Sequence, residues 1–171
     1  MELIPMFLKE LEQEAQTTRK MLALIPDDRY DWQPHPKSMT LRRLGSHIAE
    51  LPGWVTMAIK DDGLDFAHSP YKVPKIDRTK DLLAFFEDNL ASGKASLENA
   101  SESAMSEKWV LRNGDTILQV YTRAEVIRMS YCQTVHHRAQ LGVFLRLLDI
   151  PIPGSYGPSA DEMAAMADFK H

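Results

Sequence analysis

Four long stretches of this chain set apolar residues at alternating intervals of three and four, and that periodicity limits its fold more than any other feature. The clearest stretch runs from Thr122 to Leu148. There Val126, Ser130, Gln133, His137, Leu141, Phe144 and Leu148 fall within about 40° of one direction at roughly 3.6 residues per turn, while Arg128 and Arg146 point away. An earlier stretch repeats the pattern with Ile4, Leu8, Leu11, Ala15, Thr18, Leu22 and Ile25, and Pro26-Asp27-Asp28 ends it. A second helix is predicted to start near Ser38 or Thr40 and to reach Lys60, with Leu44, His47, Leu51, Trp54 and Ala58 inward and a kink or break at Pro52. A third is capped by Thr79, carries Leu82, Phe86, Leu90, Gly93, Leu97 and Ala100, and ends near Ser103.

Between these helices, His68 to Ile76 reads as loop from its prolines. Trp109 to Gln119 fits either a small hairpin around Asn113-Gly114 or an ordered loop, and the weak alternation favours the loop. Past Leu148, Pro151, Pro153, Gly154, Gly157 and Pro158 make a rigid irregular tail, with at most a short helix from Ser159 to Phe169. Four amphipathic helices without a convincing run of strands bury their stripes most economically against one another. The expected fold is therefore all-α, a four-helix bundle with a short C-terminal tail, forming one domain over residues 1–171.

Composition removes several functions. The 20 basic and 24 acidic side chains give a net charge of -4, without the basic excess that phosphate neutralisation requires, so nucleic acid is not an expected partner. Cys132 is the only cysteine, so no disulfide forms within the chain. Glu2, Lys9, Glu10, Glu12 and Glu14 rule out a signal peptide or spanning helix at the N-terminus; the expected location is the cytoplasm, with no membrane partner. No glycine-rich phosphate loop and no nucleophile elbow is present.

What remains is a small set of polar residues on apolar faces. His47, Gln133 and His137 interrupt stripes of Leu, Val, Phe and Trp, and burying them costs free energy unless they find partners. Gln133 and His137 are one helical turn apart, a spacing that aims two side chains at one place and that helix-borne ligands of bundle-core metal sites use. His47 could add a ligand from across the bundle, although core histidines more often only hydrogen-bond to a neighbour. Glu50, three residues after His47, suits a further ligand, a partner to the imidazole, or simply a solvated helix position. Cys132 and His136 share the four-residue spacing on a neighbouring face, but a lone cysteine usually acts as a small hydrophobe. Trp32, Trp54 and Trp109 read as packing anchors, with Trp54 also placed to wall a pocket beside His47.

Three segments together resemble one family. Leu44-Gly45-Ser46-His47-Ile48-Ala49-Glu50-Leu51, then Val135-His136-His137-Arg138-Ala139-Gln140-Leu141 leading to Leu145-Arg146-Leu147-Leu148, and finally Tyr156-Gly157-Pro158-Ser159-Ala160-Asp161-Glu162 are similar to the DinB family, in order along nearly the whole chain. The resemblance implies a DinB/YfiT-like four-helix bundle, commonly a homodimer, with a divalent metal, nickel or zinc, held by three histidines near one end. It also implies, where a reaction is known, thiol-dependent transfer, as in bacillithiol transferases and the mycothiol-dependent maleylpyruvate isomerase. His47 and His137 match two of the implied ligands. Gln133 stands where the third histidine is expected, and a neutral carboxamide is a weaker partner for nickel or zinc than imidazole. His136 matches a position that the family often fills with histidine without using it as a ligand. Two functions follow: a metal-dependent transferase or hydrolase acting on a small electrophile with a small-molecule or thiol substrate, or a non-catalytic, metal-free bundle that binds a ligand or a partner.

Overall fold

A computed structural model describes residues 2–69, 72 and 74–168. Four long helices form the body: α1 (Leu3–Leu22), α2 (Leu41–Lys60), α3 (Thr79–Glu98) and α4 (Arg123–Leu147). A short α5 (Ala160–Asp168) follows the tail; Phe169, where a helix end was expected, lies outside the described residues, as do parts of the loop before Ile76. α2 packs against α3 and α4, and α1 packs against the same two, whereas α1 touches α2 only slightly. α1 and α2 thus face each other across one diagonal and α3 and α4 across the other, while α2 and α3, also adjacent in sequence, pack side by side.

The stripes are buried as their spacing predicts. Leu44, Leu51 and Ala58 of α2, Leu82, Phe86 and Leu97 of α3, and Val126, Ser130 and Leu141 of α4 are fully enclosed. Thr122 caps α4 in a complete capping box, its hydroxyl taking the Glu125 amide while the Glu125 carboxylate takes the Thr122 amide. At the head of α1 the Glu102 carboxylate accepts from the Leu3 and Ile4 amides, so a residue about a hundred positions away satisfies two of the orphan donors.

Several expectations are corrected. No break occurs at Pro52: α2 is one helix from Leu41 to Lys60, and α3 packs so closely there that a Cβ on Gly93 would lie 2.4 Å from the Pro52 carbonyl oxygen. Thr79 is the first residue of α3 and not its cap, which is Arg78, and α3 stops at Glu98, not near Ser103; Asn99 bonds back to the Ala95 carbonyl and a short 3-10 turn, Glu102–Ser106, follows. On α4 the buried face extends past the expected stripe to Ile127, Tyr131, Thr134, Arg138 and Leu145, leaving Gln133, Phe144 and Leu148 at its edge.

The largest correction is a three-stranded sheet where a loop was favoured. β1 (Gly63–Asp65) pairs in parallel with β2 (Lys108–Asn113), which pairs antiparallel with β3 (Thr116–Thr122). The hairpin turns on Gly114 and Asp115, with Gly114 at φ 57°, a left-handed conformation that favours glycine. Alternation was faint for two reasons. A register shift between Leu111 and Arg112 breaks the two-residue period, and β3 is an outer strand that leaves Ile117, Leu118 and Val120 exposed. Arg123 ties this sheet to the bundle. Its buried guanidinium donates to the carbonyls of Ala58, Ile59 and Asp61 at the end of α2 and to the carboxylates of Asp62 and Glu107, which immediately precede β1 and β2.

Candidate functional site

A cavity of about 420 Å³ lies between the bundle and the sheet. Its helical wall is one stripe of α2, Arg43, His47, Glu50, Trp54 and Met57, at intervals of four and three, faced by Met129 and Gln133 one turn apart on α4. The opposite wall is the sheet: Leu64 of β1 lies beside Leu111 of β2, Trp109 shares their side by alternation, and Phe66 continues past β1. Met57 and Met129 are cavity walls.

His47 and His137 meet across the bundle, their ring centroids 4.6 Å apart and the planes at 76°. Each imidazole is fixed from its own helix by a residue three positions on. His47 Nδ1 lies 2.6 Å from Glu50 Oε1 and His137 Nδ1 lies 2.8 Å from Gln140 Oε1. A carboxylate or amide oxygen can only accept, so both Nδ1 atoms carry a proton, and in the neutral form of each ring it is Nε2 that holds the lone pair. Among the described residues neither Nε2 has a hydrogen-bond partner. Burial pushes the His137 pKa down, the Gln140 contact opposes this, and the nearby His47 and His136 reinforce it, so the ring is neutral at pH 7. Trp54 meets His47 edge-on at 5.9 Å.

Gln133 shares the cavity wall with His47, and its carboxamide makes no hydrogen bond among the described residues. His136 is exposed and, although its ring is 4.8 Å from His137, it lines an outer depression with Cys132 and Arg128. Glu50 is the partner of the His47 ring. Among the described residues no three His, Cys, Asp or Glu side chains are grouped to hold a metal ion. The donor chemistry here therefore fits a divalent ion in one form only: two imidazole nitrogens, each oriented by a polar partner on the far ring nitrogen, beside one neutral carboxamide.

Sequence periodicity could have found Arg43, since it precedes His47 by one turn. Leu64, Phe66 and Leu111 carried no such signal, because their place on the cavity follows from the sheet.

The model of the DinB family, described by that name, matches residues 2–168. The chain belongs to the DinB family. It is 24% identical over 158 residues to YrdA of Bacillus subtilis, an uncharacterized protein, covering 92% of this chain and 90% of YrdA. Among solved structures it is similar to a DinB-like protein of Bacillus cereus, with TM-score 0.69, 21% identity, and 88% of this chain and 95% of that one covered. It is also similar to YfiT of Bacillus subtilis, described as a probable metal-dependent hydrolase with an unusual four-helix bundle topology, with TM-score 0.65, 14% identity, and 86% and 89% of the two chains covered. These likenesses establish the DinB/YfiT-like bundle for this member. Among its described residues no helix is long and apolar enough to cross a membrane.

Proposed function

We propose that this DinB protein binds a divalent cation, nickel or zinc, through the Nε2 atoms of His47 and His137, with the Gln133 carboxamide oxygen as a weaker third donor. The bound ion would serve a hydrolase or transferase reaction on a small electrophile held in the adjoining cavity, with water or a thiol as the second reactant. The observation that carries this is the paired anchoring of the two rings: Glu50 and Gln140 hold the Nδ1 sides, leaving two free Nε2 lone pairs on adjacent imidazoles. The description of YfiT as a probable metal-dependent hydrolase supports the same reading.

A divalent ion there supplies Lewis acidity, polarising a carbonyl or comparable bond. The chain's own residues do the rest. Glu50 sets the tautomer and tilt of His47, and Gln140 does so for His137. Trp54, Met57, Leu64 and Trp109 keep the cavity largely apolar, which strengthens any polar contact made inside it. A metal-free ligand-binding bundle is the competing reading, and the absence of a third His, Cys, Asp or Glu among the described residues favours it.

Calorimetric titration of chelator-treated, tag-free protein with zinc or nickel separates the two. One ion per chain is expected in the wild type, lost in both His47→Ala and His137→Ala, since one imidazole with a carboxamide cannot compete with buffer. No binding by the wild type, or unchanged binding in either variant, would contradict the metal site.

A further inference from the structure

We propose that the cavity takes an amphipathic organic anion, with its carboxylate on Arg43 and its apolar or aromatic body running past His47 and Gln133 towards Trp54. This assignment rests on the cavity being the functional pocket, as proposed above, and not on a bound metal.

Two charged side chains line the cavity, Arg43 and Glu50. Glu50 is engaged by the His47 ring, which leaves Arg43 as the charge open to a ligand. The neighbouring residue shows what an engaged arginine looks like in this helix. Arg42 bonds to the carboxylates of Asp31 and Asp77 and to the Ile76 carbonyl, whereas the Arg43 guanidinium makes no ion pair or hydrogen bond among the described residues. Both arginines stand in the first turn of α2, which holds no acidic side chain, at the positive end of the helix dipole. With Arg42 already covered by two carboxylates, Arg43 is the cation there that an anion would meet, and its planar guanidinium matches a carboxylate in a two-bond fork.

The rest of the wall specifies the body. At about 1.5 Å of rise per residue, His47 lies roughly 6 Å along α2 from Arg43, and Trp54 roughly 16 Å. The rest of the lining is largely apolar; its polar groups are the Gln133 carboxamide, the His47 Nε2, Glu50 held by the His47 ring, Ser69, and the buried Trp109 Nε1, which has no partner among the described residues. A ligand that uses Arg43 together with His47 and Gln133 has an anionic head, one polar group about a helical turn away, and an apolar remainder. A dication or a polyanion does not suit, because one free cation faces largely apolar walls.

Three probes that differ only at the head group test this: 6-phenylhexanoate, 6-phenylhexanamide and 6-phenylhexylamine, titrated calorimetrically into the full chain in buffer containing EDTA. The carboxylate is expected to bind at least about tenfold tighter than the amide, with the amine weakest. Arg43→Gln should bring the carboxylate down to the amide without changing amide binding, and Arg43→Lys should keep most of the preference; melting temperatures should match the wild type in both. Equal binding of carboxylate and amide, a carboxylate preference that survives Arg43→Gln, or no binding of any probe would each overturn the proposal. Because EDTA is present throughout, these outcomes are independent of the metal titration, and either result can fail alone.

Discussion

The two walls of the cavity are built by different rules. The helical wall comes from α2 and α4, whose cavity residues recur every three or four positions, so each one follows from its neighbours on the same face. The sheet wall is assembled from segments more than forty residues apart, Leu64 against Leu111, and a register shift and an exposed outer strand blur its local pattern. Side chains on a helical stripe are specified locally; those on the sheet are specified by pairing, which only the folded chain supplies. The helical wall holds most of the polar chemistry, and the sheet wall is largely apolar.

If the sheet were a loose flap, its anchor would be dispensable. Trp109 is 1% exposed, so Trp109→Ala is expected to destabilise the protein by about 3 to 5 kcal/mol in denaturant melts. A silent substitution would break the claim that the sheet is fastened to the bundle. On the helical side, Leu141→Ala should cost about 2 to 5 kcal/mol, with Phe144→Ala below it, because Leu141 is fully enclosed whereas Phe144 sits half-buried at the stripe's edge against Trp32. The reverse order would mean that the bundle's pressure falls on a different face of α4. Leu118→Thr on β3 should stay within about 0.5 kcal/mol of wild type, since that side chain faces out; a larger loss would show that β3 is buried in solution.

How much of this was legible follows the same division. The four helices, and the places of His47, Gln133 and His137 on their faces, were readable because period and spacing are properties of short windows. The unbroken passage through Pro52 was not, since a proline read in its own window argues for a break. Arg138 is another example: it reads as an ordinary charged residue, yet it is 2% exposed, pairs with Glu14 at 2.7 Å and reaches Tyr156 of the tail. Its burial depends on an acceptor more than a hundred positions away.

The smallest expected effect concerns the tail. Arg146, and to a lesser extent the Ile152 amide, hold the Asp161 carboxyl down to about 2. Its unfolded value is about 3.9, so the contact stabilises docking of the tail above that pH and is lost as pH falls from there towards about 2. Pepsin cleavage between Ile150 and Asp161 should therefore rise over that window, and Arg146→Gln should make the tail cleavable already at its upper end. A cleavage rate flat from pH 4 to 2 in both proteins would remove the ion pair from the account, with the pH range set by those two values.

The central claim is that His47 and His137 form a metal site that Gln133 leaves weak. Its most direct test is the divalent metal affinity of Gln133→His beside wild type, both tag-free and purified without a nickel column, with metal content confirmed by elemental analysis. Changing the carboxamide to an imidazole at unchanged helical spacing turns a two-imidazole site into a three-imidazole one, so Gln133→His should retain one ion per chain through purification and bind it more tightly than wild type. A metal-free wild type together with no gain in Gln133→His would show that the three side chains do not converge on one ion, and would contradict the metal site and the chemistry built on it.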